Sequence, residues 1–260
     1  MQNLNFLTIQ SDVIWEDANA NLKALDQLLN TNKISADVIM LPEMFNTGFT
    51  NNTGACSETM EGITINWMRV RAQELQCAIT GSLIVKDGNV YYNRMVWMLP
   101  NGKCLFYDKH HLFRMGNEHH VFEPGKNKLI VDYKGWKILL LVCYDLRFPV
   151  WSMNTFSQDD GFGYDAIIYA ANWPSKRDYI WRSLLTARAI ENQAYVIGVN
   201  RFGMDGNGIE YHGNSLVIDF KGIILHAAKP SQPDILSFAL GKNNLISYRE
   251  YFKVAEDWDK

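Results

Sequence analysis

Residues 137–149, KILLLVCYDLRFP, predict a buried strand that ends abruptly in a thiol. The apolar run over 138–142 is followed at once by Cys143 and then by charged side chains. An unbroken apolar run of this length is typical of a strand covered on both faces, as in a sheet packed against helices. The stretch therefore indicates an α/β fold and places Cys143 at a strand end.

Outward from this strand, apolar runs alternate with stretches of helical periodicity. The predicted strands are NLNFLTIQ, DVIML, CAITGSLIV, NVYYNRMVWML, CLFYDK, KLIVDY, DAIIYAAN, AYVIGVN, NSLVIDF, GIILHA and DILSFAL. The predicted helices are ANLKALDQLL with Asp17 as its N-cap, TINWMRVRAQEL, DYIWRSLLTARAIENQ and a helix beyond Pro149. Turn residues at 100–102 predict a hairpin. Strands that alternate with helices and are interrupted by hairpins favour an α/β protein with a mixed sheet.

The composition is that of one globular domain. The chain has 260 residues, of which 47% are hydrophobic and 20% charged, enough to bury a sizeable core. We predict a single domain over residues 1–260, with the residues after about 240 as a C-terminal tail. The four cysteines are widely spaced, which fits neither a disulfide framework nor a metal or redox motif, so reduced thiols are expected.

Charge and hydropathy exclude two classes of partner. The formal net charge is -3 and no run of Lys or Arg stands out, so nucleic acid is not an expected partner. The sequence begins without the features of a signal peptide, and no apolar run approaches the roughly 20 residues of a membrane span. We therefore expect a cytoplasmic protein with no membrane partner.

Three chemically capable residues follow directly after apolar runs. Glu43 follows DVIML, Lys109 follows CLFYD, and Cys143 follows KILLLV. Ligands of open α/β sheets bind beyond the carboxyl ends of the strands, so these side chains are candidates for one site. A thiol is a nucleophile, a carboxylate can take its proton, and an ammonium can hold the oxyanion formed on attack at a carbonyl. Taken singly, each also fits a structural role as a buried Cys, a cap or a solvated charge.

The position of Cys143 also suggests how its thiol would be activated. A cysteine that opens a helix, with Pro149 in the first turn, lies at the positive end of the helix dipole. Such a position stabilises a thiolate relative to a free thiol, whose pKa is about 8.5. We therefore expect a stabilised thiolate at this strand end.

Three sequence motifs that include these residues, taken together in this order, are more specific than any of the residues alone. LPEMFNTGF, YDKHHLF and LVCYDLRFP, with the gaps between them, resemble the nitrilase superfamily of carbon–nitrogen hydrolases. The resemblance extends from the first strand to about Phe238. It implies a four-layer α-β-β-α sandwich that usually dimerises, and a reaction that needs no metal or organic cofactor.

The resemblance also implies roles for individual residues. Glu43 corresponds to the general base, Lys109 to the lysine and Cys143 to the nucleophile of a Glu–Lys–Cys triad. Glu118 matches the second glutamate that many members keep near the triad, although Glu123 is close by in the sequence.

Within the superfamily, CYDLRFP and the stretch over 171–215 are most similar to the omega-amidase group. That group hydrolyses the terminal amide of 2-oxoglutaramate or 2-oxosuccinamate. The implied mechanism passes through a cysteine thioester, with an oxyanion held between Lys109 and the backbone N–H of Tyr144.

A small substrate with a free carboxylate requires a cation, and arginine suits planar bidentate pairing. The candidates that the sequence offers are Arg147, Arg114 and Arg177. Aromatic side chains that would wall the pocket are Phe49, Phe113 and Trp173. Asp145 is interpreted as a residue that fixes the turn aiming the sulfur.

Several alternative functions are also compatible with the sequence. The same triad serves nitriles and N-carbamoyl compounds, so a nitrilase or an N-carbamoyl amidohydrolase is an alternative. The histidine-rich loop HHLFRMGNEHH, residues 110–120, suggests a metal site, although it lacks HExxH spacing. A Cys–His pair between Cys143 and one of these histidines is a further alternative, and a non-catalytic binding protein is the last.

Overall fold

The structure is a computed structural model that describes residues 3–32 and 34–259. Met1, Gln2 and Lys260, at the ends of the predicted 1–260 domain, and Lys33 lie outside the described residues. The strands are β1 Leu4–Gln10, β2 Val38–Met40, β3 Ala78–Asp87, β4 Val90–Met98, β5 Cys104–Asp108, β6 Leu129–Tyr133, β7 Trp136–Val142, β8 Phe156–Ser157, β9 Gly161–Phe162, β10 Ala166–Ala171, β11 Tyr195–Asn200, β12 Phe202–Met204, β13 Glu210–His212, β14 Leu216–Ile218, β15 Ile224–Ala227 and β16 Asp234–Leu240.

The helices are α1 Ala18–Thr31, α2 Thr53–Cys56, α3 Ile63–Leu75, α4 Pro149–Ser152, α5 Asp178–Glu191 and α6 Lys242–Tyr251. Short 3-10 segments lie at Arg114–Gly116, Glu118–His120, Cys143–Arg147, Ser175–Arg177 and Val254–Asp257. The predicted N-cap of α1 is confirmed, because Asp17 accepts a hydrogen bond from the Ala20 N–H at 2.9 Å.

Two six-stranded sheets form the centre of the molecule. The first has the order β16-β1-β2-β3-β4-β5 and the second the order β15-β14-β11-β10-β7-β6. In each, three neighbouring strands are parallel, β1-β2-β3 and β7-β10-β11, and the strands at the edges pair antiparallel. The predicted mixed α/β character is therefore confirmed.

Alternating side chains of β1 show how the layers are built. Leu4 and Phe6 belong to the core between the two sheets, whereas Leu7 and Ile9 face a second core that contains the buried leucines of α1. A strand sends successive side chains to opposite faces, so an apolar residue on both faces requires a cover on both sides. Helices α1 and α3 cover the first sheet.

The second sheet is covered in the same way. Trp181, Leu185 and Ala189 of α5 are buried in the cluster that includes β10 and β11. The predicted α-β-β-α sandwich is confirmed, and the apolar face of α5 packs on the second sheet.

The residues after about 240, predicted as a C-terminal tail, form α6. Its Leu245 is fully buried, and its buried Arg249 pairs with Asp165 at 3.2 Å and donates to the Gln193 carbonyl at 2.9 Å. This part of the chain is thus attached to the second sheet by both apolar and charged contacts. No helix in residues 3–32 or 34–259 is long and apolar enough to cross a membrane.

Candidate active site

The three candidate residues come from strand ends in both sheets. Glu43 lies just after β2 and Lys109 just after β5, in the first sheet, whereas Cys143 lies just after β7 in the second. The packing of one sheet on the other brings the three together, as the rule that ligands bind beyond carboxyl strand ends predicts.

A buried ion cluster lies at the centre of this site. Lys109 Nζ is 2.9 Å from Glu43 Oε1 and 2.7 Å from Glu118 Oε2, and all three side chains are fully buried. Glu118 also accepts the Phe113 N–H at 2.5 Å. The structure thus brings Glu118 next to the lysine.

Burial and charge act against each other within this cluster. Burial alone lowers the pKa of Lys109, but the negative charges of Glu118 and Glu43 outweigh it and raise that pKa above its usual value. At Glu118, burial raises the pKa, and the carboxylate of Glu43 acts in the same direction, although the charge of Lys109 opposes both. The lysine is therefore a fixed cation.

Cys143 sits in a strained backbone conformation. Its φ is 41°, in the left-handed region that residues with a Cβ rarely adopt. Such a conformation costs of order 1–3 kcal/mol and persists only where its surroundings enforce it. The thiol is largely buried and its Sγ lies 3.8 Å from the Asn172 carbonyl oxygen, to which it donates.

The surroundings of Cys143 do not favour the expected stabilised thiolate. Cys143 opens a 3-10 turn, Cys143–Arg147, and Pro149 begins the separate four-residue helix α4, so no long helix points its positive end at the sulfur. Burial, followed by the charge of Glu43, raises the pKa of the thiol well above its ordinary range, against the opposing charge of Lys109. The prediction left out burial, the larger cause, and the adjacent carboxylate of Glu43; the raised pKa favours a neutral resting thiol.

Asp145 holds the turn that follows the sulfur, and this prediction is confirmed. Its Oδ2 accepts the Val142 N–H at 3.0 Å and the Tyr107 hydroxyl at 2.8 Å. Its Oδ1 accepts the His111 backbone N–H at 2.9 Å and lies 2.8 Å from His111 Nδ1. Helix α5 adds a further link, because Arg188 Nη2 donates to the Leu146 carbonyl at 2.7 Å.

Two asparagines that the sequence analysis missed orient the base. Asn93 Nδ2 donates to Glu43 Oε1 at 2.8 Å, and the Asn172 backbone N–H donates to Glu43 Oε2 at 2.9 Å. Asn172 Nδ2 also donates to the Glu43 carbonyl at 2.6 Å. A lone asparagine inside or just after an apolar strand leaves no periodic signature; only its position next to a candidate strand end could have pointed to it.

A cavity of about 260 Å³ opens onto this cluster. Its lining includes Cys143, Lys109 and the predicted residues Tyr144, Arg147, Arg177, Phe49, Phe113 and Trp173. The lining residues that the sequence analysis did not single out include Asn51, Met115, Asn172, Asp205, Asn207, Ile209 and Tyr211. Its size suits a small molecule, since pockets for drug-sized ligands begin at roughly 300 Å³.

Two of the three candidate arginines lie in the cavity wall. Arg147 lies over the Trp173 ring at 5.2 Å and Arg177 over the Phe113 ring at 5.3 Å. Neither has a carboxylate within salt-bridge distance in the part of the chain that the structure describes. Arg114 is exposed and lies outside the cavity lining, so the geometry does not support its predicted contact with substrate.

The histidine-rich loop is used for packing. His110 stacks on Trp151 at 3.7 Å and contacts the Gly125 carbonyl, and His111 stacks on Phe148 at 3.7 Å. Within residues 3–32 and 34–259, no three His, Cys, Asp or Glu side chains are grouped to hold a metal ion. The geometry therefore favours neither the metal site nor the Cys–His pair.

Comparison with known proteins agrees with this geometry. Residues 7–250 match the carbon–nitrogen hydrolase family. The chain is 45% identical to Omega-amidase YafV of Yersinia enterocolitica, over 100% of this chain and 98% of that protein, and 31% identical to 2-oxoglutaramate amidase of Bacillus subtilis (strain 168), over 96% and 95%. A solved structure from Xanthomonas campestris, a CN-hydrolase superfamily protein with an arsenic adduct in its active site, superposes with a TM-score of 0.97 at 39% identity, covering 100% of this chain and 98% of that one.

Proposed function

Because this chain belongs to the carbon–nitrogen hydrolase family, we propose that it is an omega-amidase that releases ammonia from 2-oxoglutaramate or 2-oxosuccinamate. Since its relatives over nearly the whole chain are amidases, the protein is an amidase that acts on carbon–nitrogen bonds. The observation that carries the narrower proposal is one small cavity whose lining includes both Cys143 and two arginines, and these arginines have no carboxylate partner among the described residues.

The arginines support a substrate with a free carboxylate. Arg147 lies over the Trp173 ring and Arg177 over the Phe113 ring, contacts that hold the guanidinium groups without neutralising them. A guanidinium that lines a cavity and lacks an internal anion is suited to bidentate binding of a carboxylate. In our proposal they hold the 2-oxo acid end of the substrate, so that its amide end reaches Cys143.

The reaction begins with attack by sulfur. As the Cys143 Sγ–C bond forms at the amide carbon, the thiol proton passes to Glu43 and the carbonyl π electrons move onto oxygen. Because the resting sulfur is a neutral thiol, proton transfer and attack are coupled. The oxyanion lies between Lys109 Nζ and the backbone N–H of Tyr144, which as the second residue of a 3-10 turn has no partner within that turn.

Collapse of the intermediate releases ammonia. Glu43 returns the proton to the nitrogen, the C–N bond breaks, and a thioester remains on Cys143. Water then gives a proton to Glu43 and attacks the thioester, and the sulfur leaves and takes that proton back. The products are ammonia and a carboxylic acid, and no metal or organic cofactor takes part in any step.

Glu118 completes the site as a partner of the lysine. It accepts from Lys109 at 2.7 Å and from the Phe113 N–H, so it holds the cation and the cavity wall together. In our proposal this carboxylate keeps Lys109 aimed at the oxyanion through both steps. Removal of one oxyanion donor typically costs about 10²–10³ in rate.

We also propose that the enzyme works in the cytoplasm as a homodimer. A mechanism that depends on a free thiol suits a reducing compartment, and Cys56, Cys77, Cys104 and Cys143 are all unpaired. Exposed apolar side chains, Ile190 at the end of α5 and Ile223 beside it, supply a surface for a second copy.

The test is ammonia release from a panel of 2-oxoglutaramate, 2-oxosuccinamate, glutamine, a simple nitrile and an N-carbamoyl amino acid. We expect fast turnover of the two 2-oxo amides, its loss in Cys143→Ala, and no loss in Cys104→Ala, whose sulfur lies outside the cavity lining. Preference for the nitrile or the carbamoyl compound would replace the omega-amidase assignment with one of the two alternatives.

A further inference from the structure

The hairpin β12–β13 brings a tyrosine with a defined hydrogen-bonding role into the cavity. Tyr211 lies on β13, is 2% exposed and lines the same cavity as Cys143. Asp205, in the turn of the hairpin, is also buried and lines the cavity. The mechanism proposed above uses neither residue.

The hydroxyl hydrogen of Tyr211 already forms a hydrogen bond within the protein. Tyr211 Oη donates to Asp205 Oδ2 at 2.9 Å. Asp205 Oδ1 accepts the N–H groups of Asn207 at 2.8 Å and Ile209 at 2.9 Å, so the turn fixes this carboxylate as an acceptor. Because a hydroxyl has one hydrogen and two lone pairs, Tyr211 Oη is left with acceptor capacity only.

The surroundings of the Tyr211 ring favour a protonated, neutral hydroxyl. Burial, with the charge of Asp205 second, raises the pKa of the Tyr211 phenol, so the phenol keeps its proton. The guanidinium of the fully buried Arg201 lies 4.9 Å from the ring centroid and supports the ring from outside the cavity lining. The oxygen is therefore held as a neutral acceptor.

Asn172, another residue of the cavity lining, also carries an acceptor without a donor among the described residues. Asn172 Nδ2 is fixed by the Glu43 carbonyl, which orients the side-chain amide, and Asn172 Oδ1 is buried with no hydrogen-bond partner among residues 3–32 and 34–259. A buried acceptor without a donor is costly, so a donor from a ligand would be favourable there. A primary carboxamide carries two N–H hydrogens, whereas an ester or a carboxylate carries none.

We propose that Tyr211 Oη accepts a hydrogen bond from the carboxamide N–H of the substrate and so makes the enzyme selective for amides over the matching esters. This inference rests on the proposed omega-amidase function and names the residue that distinguishes the scissile group. In this proposal Tyr211 is a specificity residue that contacts the leaving group. Its oxygen accepts a hydrogen bond, whereas the arginines can only donate.

The test compares two substrates that give the same product. The kcat/KM values for 2-oxoglutaramate and for its ω-methyl ester are measured by formation of the 2-oxo diacid, in the unmodified enzyme and in Tyr211→Phe. The substitution keeps the ring and removes the oxygen. We expect kcat/KM to fall by about 10-fold for the amide, as for a lost hydrogen bond in a desolvated site, and by far less for the ester.

Asp205→Asn provides an independent variant. The introduced side-chain oxygen can still accept the Asn207 and Ile209 N–H groups, whereas its NH₂ now donates to Tyr211 Oη, so the hydroxyl hydrogen is free to point into the cavity. We expect the amide to lose at least as much as in Tyr211→Phe, with the ester again less affected. Thermal unfolding of both variants checks that the hairpin is intact.

The outcomes separate the two proposals. An equal fall for amide and ester, or no fall for the amide in either folded variant, overturns the role of Tyr211 and leaves the omega-amidase assignment standing. Absence of turnover of both substrates and of 2-oxosuccinamate by the unmodified enzyme overturns the assignment itself, and the inference with it.

Discussion

At the scale of single residues, Asp145 contributes most to the position of the sulfur. Its two oxygens accept hydrogen bonds from Val142, Tyr107 and the backbone of His111, and it is fully buried. Asp145→Asn keeps the shape of the side chain but turns an NH₂ towards groups that are themselves donors. Each buried donor left without an acceptor costs about 1–3 kcal/mol, so we expect the free energy of unfolding to fall by about 2–4 kcal/mol.

Urea denaturation of Asp145→Asn measures this loss, and kcat on 2-oxoglutaramate should fall with it because the turn aims Cys143. The exposed Asp132→Asn, on β6, makes the same chemical change without these contacts and should leave both quantities unaltered. Equal stability of the two variants would show that the turn holds without Asp145.

The raised pKa of Glu118 predicts the acid limb of the pH profile. Burial raises the pKa of Glu118, so it takes up a proton at a higher pH than an ordinary glutamate, whose pKa is about 4.3. Protonation weakens its acceptance from Lys109. We therefore expect kcat/KM to decrease as the pH falls through this raised pKa, with a midpoint above about 4.3.

The pH dependence of kcat/KM on 2-oxoglutaramate provides the measurement, with tryptophan fluorescence recorded over the same range as a control for unfolding. An acid limb at or below the ordinary glutamate value, with the fold intact, would contradict this role for Glu118.

At the scale of elements, the turn after the histidine-rich loop packs directly on the strand end that carries Lys109. A Cβ built on Gly125 would lie 2.0 Å from the Asp108 carbonyl oxygen, and the Gly125 N–H donates to the Lys109 carbonyl at 3.0 Å. Gly125→Ala must push the turn away from β5. We expect a loss of about 1–3 kcal/mol in stability and a fall in kcat.

Gly54→Ala is the matched control, because a Cβ on Gly54 in α2 would meet nothing within 4 Å. Thermal unfolding and kcat of the two variants, measured side by side, separate the packing effect from a general effect of alanine. A Gly125→Ala enzyme as stable and active as Gly54→Ala would contradict the argument.

The elements that the sequence predicted well are those with a strong apolar period. Strands β7 and β10 contain long apolar runs, β1 is mostly buried, and the predicted helix over α5 carries a buried stripe. The elements it missed include α2 and the hairpins β8–β9 and β12–β13, which are short and carry few apolar residues. It also missed α6, whose buried side chains are one leucine and one arginine, Leu245 and Arg249. The positions of the missed elements depend on contacts with distant parts of the chain, such as the pair between Asp12 and Arg201, which no local pattern contains.

At the scale of the whole molecule, the proposed dimer can be tested at the end of α5. Ile190 is 51% exposed, and Gly222, which precedes the exposed Ile223, lies against its side chain, because a Cβ on Gly222 would be 2.7 Å from Ile190. A lysine in such an interface would bring an unpaired charge out of water. We expect the native protein to sediment as a dimer and Ile190→Lys to sediment as a monomer.

Ile63→Lys serves as the control, because Ile63 is also 51% exposed but lies on α3, in the helix layer on the opposite side of the sandwich. Sedimentation velocity measures the oligomeric state of the native protein and of the two variants. A native monomer, or a dimer that both variants retain, would exclude this surface as the interface.

Only part of the candidate site could be predicted from the sequence, because its residues come from distant parts of the chain. Glu43, Lys109 and Cys143 each follow an apolar run, and a resemblance of motifs linked them. Their orienting partners come from elsewhere: Asn93 lies within β4, and Asn172 follows β10 in the other sheet. The pKa of the thiol depends on all of these neighbours together, which explains why the helix argument, made from one stretch alone, gave the wrong direction.

The division of the site between two sheets bears on when the protein becomes active during its synthesis. Strand β16, near the end of the chain, pairs along the whole of β1, near its start, so the first sheet gains its edge strand late in translation. A nascent chain that has already exposed Cys143 still lacks that strand and α6. We expect the thiol to meet its base in a working arrangement only after β16 has been synthesised and has paired with β1.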